Sequence, residues 1–111
     1  TRKMEGVAME RRQFERKAIR LKVVCALDGE REERIDAEST DLSLGGIGLS
    51  LANPIGQDKR ISMTIYDASS AGGIEAKGTV VWQSEPDNDG LCRAGVQFEE
   101  IPWTQIRRLV A

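Results

Sequence analysis

Ile19-Arg20-Leu21-Lys22-Val23-Val24-Cys25-Ala26-Leu27 is a run in which apolar side chains recur at every second position. Ile19, Leu21, Val23, Cys25 and Leu27 fall on one side of an extended chain; Arg20, Lys22, Val24 and Ala26 fall on the other. Successive side chains of a strand point to opposite faces, so this period of two predicts a strand with one face buried. The pattern returns along the chain. Asp28-Gly29 signals a turn, and the residues from Arg34 to Thr40 form a second, more polar strand that breaks over Asp41 to Gly46. Ile47, Leu49 and Leu51 mark a third, closed by Asn53-Pro54. Ile61, Met63 and Ile65 mark a fourth; Ile74, Ala76, Gly78, Val80 and Trp82 a fifth, with Gly78 a candidate bulge; Cys92, Ala94, Val96 and Phe98 a sixth. Polar, glycine-containing loops separate the last three, at Asp67–Gly73 and Glu85–Gly90. Short strands punctuated by turns predict an all-β fold, a six-stranded antiparallel barrel whose closure removes exposed edges. After Pro102 the period changes: Trp103, Ile106 and Val110 share a helical face, predicting a short C-terminal helix that begins at the proline and plugs one barrel end with Trp103.

The 111 residues suit one domain, and 40% hydrophobic content suffices for one core. Residues 1–18, polar and charged with at most a weak helical stripe at Met4, Val7 and Ala8, read as a flexible arm preceding the barrel of 19–111. Sixteen basic residues against eighteen acidic leave a net charge of −2, which argues against a general nucleic-acid coat. Positive charge is nevertheless concentrated at Arg11, Arg12, Arg16, Lys17, Arg20 and Lys22. No apolar run is long enough for a membrane span, and the first ten residues lack the apolar stretch of a signal peptide. Cys25 and Cys92 lie within alternating apolar runs and read as buried free thiols of a reducing compartment. With no histidine and no paired-cysteine spacing, a zinc site is not expected. Nor is catalysis: there is no histidine base, nucleophile motif or phosphate loop.

Two short patterns remain. Arg12-Gln13-Phe14-Glu15-Arg16 spaces two arginines four apart, with Arg11 in front. Asp41-Leu42-Ser43-Leu44-Gly45-Gly46 is an Asp-x-Ser-x-x-Gly. Alone, the first is a solvated charged arm and the second an Asx-turn opening a glycine-rich bend. In this order, with strands between and after them and with Ala94-Gly95-Val96-Gln97-Phe98 near the end, the chain resembles the PilZ domain family and its split barrel from about Glu10 onward.

The resemblance implies a bacterial receptor for cyclic di-GMP, in which the arginine segment wraps over the ligand. The residue types suit that target. A guanidinium is planar, pairs bidentately with a phosphate or with O6 and N7 of guanine, and stacks on base faces. A carboxylate accepts both donors of guanine's Watson–Crick edge. Carried over, Arg12 and Arg16 contact phosphate and guanine, Asp41 takes a guanine edge, Ser43 bonds near the same base, and Gly45 and Gly46 let the backbone approach closely. Arg11, by the same resemblance, goes with a stacked pair of cyclic di-GMP molecules per protomer. Trp82 is open between ligand-facing ring, core and barrel surface; some family members carry a tryptophan there. Ligand-driven ordering of the arm would relay the signal to a downstream protein or fused output domain in the bacterial cytosol, with homodimer formation left open. The alternative is a PilZ-like protein-interaction module that binds no nucleotide. Trp103 is expected as a core anchor, and Arg107-Arg108 as the wet face of the last helix.

Overall fold

The alternating runs form six strands in the computed structural model, which describes residues 16–27, 34–68 and 72–111. They are β1 (Lys22–Leu27), β2 (Ile35–Leu42), β3 (Gly46–Leu51), β4 (Arg60–Tyr66), β5 (Ile74–Gln83) and β6 (Cys92–Glu100), followed by helix α1 (Trp103–Val110). The readings placed on Met4, Val7, Ala8, Arg11 and Arg12 lie outside the described residues. All strand pairs are antiparallel, and the barrel closes in the order β1-β2-β3-β6-β5-β4, with β4 back against β1.

Inward alternates supply the core. Val23 and Cys25 of β1, Leu49 and Leu51 of β3, Ile61, Met63 and Ile65 of β4, Val80 of β5 and Val96 of β6 are all buried. The thiols of Cys25 and Cys92 are buried and free, on strands that are not neighbours in the barrel. Burial pushes the Cys25 thiol up to about 12, helped by the negative charge of Asp36.

Period two fails in β2 and again in β5, and each failure turns a side chain to the outer surface. In β2 the register shifts between Ser39 and Asp41. Ala37 and Ser39 pair with the inward-facing Leu51 and Leu49, whereas Asp41 pairs with Gly48. The extra residue, Thr40, is a bulge that sends Asp41 outward and returns Leu42 to the core. The strand therefore runs on through Leu42, past the break expected at Asp41. In β5 a second shift lies between Val80 and Trp82: Val80 faces Val96 inside, and Trp82 pairs with Gly95 on the outer face. A third irregularity, between Lys77 and Gly78, falls at the glycine expected to mark one.

Helix α1 corrects two expectations. Pro102 precedes the helix instead of opening it. The residue that enters the core is Ile106, fully buried, while Trp103 is 52% exposed. Ile106, with Leu109 and Val110 partly buried beside it, defines the face turned to the barrel. Trp103, in the first turn, is left at its margin, and Arg107 and Arg108 are exposed as expected.

Ile106→Ala should lower unfolding free energy by about 2–5 kcal/mol in urea denaturation, and Trp103→Ala by no more than about 0.5 kcal/mol; the reverse order would return the plug to the tryptophan. Both thiols are shut inside the barrel, and Cys25 is also held protonated, so a disulfide-exchange reagent at pH 8 should label Cys25 and Cys92 only as fast as the barrel unfolds.

Candidate functional site

The arginine segment meets the barrel through its backbone. Lys17 and Leu42 exchange two hydrogen bonds, Lys17 N–H to Leu42 O and Leu42 N–H to Lys17 O, both 2.9 Å. Beyond Lys17, the buried Ser39 binds the chain again. Its hydroxyl accepts from Leu21 N–H at 2.8 Å and donates to the Ile19 carbonyl at 2.6 Å, and its own N–H donates to Leu21 O at 2.8 Å. Residues 17–21 are thereby laid along β2. Arg16 consequently emerges beside the outward-turned Asp41, and its Nη1 donates to Asp41 Oδ1 at 2.8 Å.

The turn after Leu42 is built by its serine. Ser43 N–H donates to Gly46 O at 2.9 Å. Ser43 Oγ accepts from the N–H groups of Gly45 at 3.2 Å and Gly46 at 3.1 Å, and donates to Gly46 O at 3.3 Å. The hydroxyl is thus engaged inside the bend, and only 3% of the residue is exposed. Gly45 O accepts from Phe98 N–H at 2.9 Å, tying the bend to β6. Gly46 is required by close approach: a Cβ there would lie well inside contact distance of the Val96 carbonyl oxygen. Positive φ among the described glycines falls elsewhere, at Gly56, Gly73 and Gly90.

These pieces share one outer surface. Asp41 pairs with Gly48, Gly48 with Gly95, and Gly95 with Trp82, a single row across β2, β3, β6 and β5. A cavity of about 440 Å³ opens over it, lined by Arg16, Ser43, Gly46, Val81, Trp82 and Gly95 among others. Gly45 lines it too. Asp41 is not a lining residue; it meets the cavity through the Arg16 guanidinium. Of the residues singled out in the sequence, Arg16, Asp41, Ser43, Gly45, Gly46 and Trp82 therefore come together, while Arg11 and Arg12 lie outside the described residues. Trp82 is surface, not core, at 49% exposure.

The motifs left out Gly48 and Gly95. Gly48 makes room for the acid: a Cβ would fall 2.6 Å from Thr40 Oγ1 and 3.0 Å from Asp41 Oδ1. Gly95 makes room for the indole. The signal for both was a glycine in the middle of a strand, which marks a bulge or a close approach. A larger cleft, about 550 Å³, lies over β1, β4 and β5, lined by Val24, Ala26, Arg34, Ser62 and Lys77 among others. It holds no residue of either motif, so volume alone is a poor guide to the site.

Comparison with known proteins agrees with this fold. The barrel is similar to the PilZ domain of YcgR from Escherichia coli solved with c-di-GMP, at TM-score 0.70 and 20% identity over 90% of this chain and 88% of that one. It is similar to the Bacillus subtilis inhibitor of motility MotI/DgrA, at TM-score 0.71 and 20% identity over 88% of this chain and 47% of that one. A longer YcgR chain from Escherichia coli in complex with c-di-GMP matches at TM-score 0.66 and 20% identity, over 90% of this chain and 44% of that one. The chain thus spans about half of the longer relatives. At this identity the likeness is one of fold. No curated protein sequence matches. The PilZ domain profile matches residues 10–111, nearly all of the sequence, and the chain belongs to the PilZ domain family.

Proposed function

We propose that this PilZ domain is a bacterial receptor module for cyclic di-GMP, not an enzyme, and that the outer row and its cavity are the ligand site. The observation that carries the reading is the 2.8 Å pair between Arg16 and Asp41, which joins the end of the arginine motif to the start of the Asp-x-Ser-x-x-Gly turn. A guanidinium has five donors, so Arg16 keeps others for a phosphate or for guanine O6 and N7. Asp41 keeps Oδ2 for the donors of a guanine Watson–Crick edge. Trp82 offers a half-exposed ring for stacking. A cavity of about 440 Å³ suits one small ligand.

Arg12 stands four residues before Arg16, a tether of at most about 14 Å when extended, and its guanidinium is assigned to the same ligand. Arg11 then serves a second, stacked molecule, giving two cyclic di-GMP per protomer. Closing the part of the arm that precedes Arg16 over the ligand is the step that relays the signal to a partner protein or attached domain, in the bacterial cytoplasm. Charge-assisted bonds offset the ordering entropy.

Isothermal titration with cyclic di-GMP tests this. The wild type should give saturable heat with a stoichiometry near two, and Arg12→Ala, Arg16→Ala or Asp41→Ala should remove it. The 2.8 Å ion pair is exposed, so Arg16→Ala should lower stability by no more than about 1 kcal/mol, and loss of binding would not be loss of fold. No heat from the wild type would leave the interaction-module alternative in place. Limited proteolysis tests the relay separately: residues 8–15 should be protected only with ligand, and equal cleavage there with and without it would exclude arm closure.

A further inference from the structure

We infer that Gly95 is a positioning residue for the ligand site: the bare strand at Gly95 seats the Trp82 indole flat against β6 and so builds the stacking wall. The inference deepens the receptor reading of the same cavity and rests on it for the consequence in binding. Mid-strand glycines in this barrel are confined by different neighbours. At Gly46 and Gly78 the first atom that a Cβ would meet is a backbone carbonyl oxygen, of Val96 and Gln97 respectively, so those glycines serve strand packing. At Gly95 the three nearest atoms all belong to one side chain, the Trp82 indole: Nε1, Cε2 at 2.5 Å and Cδ1 at 2.7 Å. A methyl group there takes the volume that the ring occupies. The β5 bulge puts Trp82 opposite Gly95. The next residue along the row, Gly48, also lacks a side chain, so the floor between Trp82 and Asp41 is backbone only. A flat aromatic group entering the cavity can then contact the sheet and the indole together.

Two measurements test this. The chain has two tryptophans, so Trp103→Phe leaves Trp82 as the sole emitter. In that background Gly95→Ala should shift the ligand-free emission maximum to the red, because the ring leaves its seat for water. Unchanged emission would overturn the inference, whether or not the protein binds cyclic di-GMP. The second measurement is a double-mutant cycle on binding. Gly95→Ala and Trp82→Ala should each weaken cyclic di-GMP binding about tenfold or more, the scale of one lost base–aromatic stack. Trp82→Ala/Gly95→Ala should match Trp82→Ala alone, because Gly95 acts only through the ring. A double variant much weaker than Trp82→Ala would overturn the inference and assign Gly95 to ligand contact or to the sheet. Should Gly95→Ala unfold, the double variant should fold again; a double variant equally unfolded would also overturn it. A wild type that binds no cyclic di-GMP would defeat the receptor reading, while the emission measurement would still decide the seat.

Discussion

At one point each, β2 and β5 carry an extra residue against their partners, and the outer surface of this barrel depends on that local change of parity. A strand that keeps strict alternation sends residues 39 and 41, or 80 and 82, to the same face. Thr40 and Val81 break the count. Asp41 and Trp82 therefore leave the face of Ser39 and Val80 and appear outside, on opposite flanks of Gly48 and Gly95. Bulges are a means of re-aiming a side chain without disturbing the sheet around it. Here the core closes again within one residue, since Leu42 returns to full burial directly after Asp41. A polar surface is thus installed on a barrel whose interior stays apolar.

The arginine segment is coupled to that surface through its own backbone, held partly by main-chain partners and partly by the Ser39 hydroxyl. Lys17 with Leu42, and Ser39 with Ile19 and Leu21, set where the chain leaves the barrel. Arg16 then needs no further positioning to meet Asp41. Their pair, with side chains 63% and 33% exposed, belongs to the class that contributes little to stability in water. Its effect is electrostatic: it holds a cation and an anion side by side at the mouth of the cavity.

Most of the fold is legible in the sequence because it is written in period two, and five of the six strands fall where Val23, Leu49, Met63, Val80 and Val96 recur, β2 being the more polar one. The differences fall where period does not govern. The pattern marks Pro102 and Trp103 as the start and plug of the helix, yet one turn cannot decide which of two apolar residues, Trp103 or Ile106, faces the mouth; that is settled by where β6 delivers the chain. Asp41 reads as the end of β2 because Asp and Gly are turn formers, while the register with Gly48 keeps it in the ladder. Trp82 has no face assigned by sequence, since a bulge of one residue leaves no compositional trace in Thr79-Val80-Val81-Trp82. The motif glycines are legible; Gly48 and Gly95 show only as glycines in mid-strand, because the side chains they admit lie on the neighbouring strand. Ser43 reads as a ligand contact, and its hydrogen bonds within the bend account for its place without one.

The separation between core and site has a consequence for how such a domain can change. Ile47 and Val96 line both the core and the cavity over the outer row, but Val23, Leu49, Ile61, Met63, Ile65 and Ile106 hold the barrel without lining that cavity. Arg16, Asp41 and Trp82 stand outside that core, and buried hydrophobic area, not exposed ion pairs, is what dominates stability. Replacing any of the three leaves the barrel intact while removing a charge or a ring from the surface. Gly46 is different, because its missing side chain admits the Val96 carbonyl and so joins β3 to β6. Within the Asp-x-Ser-x-x-Gly turn, then, the acid is free of the core, whereas Ser43 and Gly46 are bound to the fold. A barrel of this kind that had lost its ligand would be expected to keep the second half of the motif longer than the first.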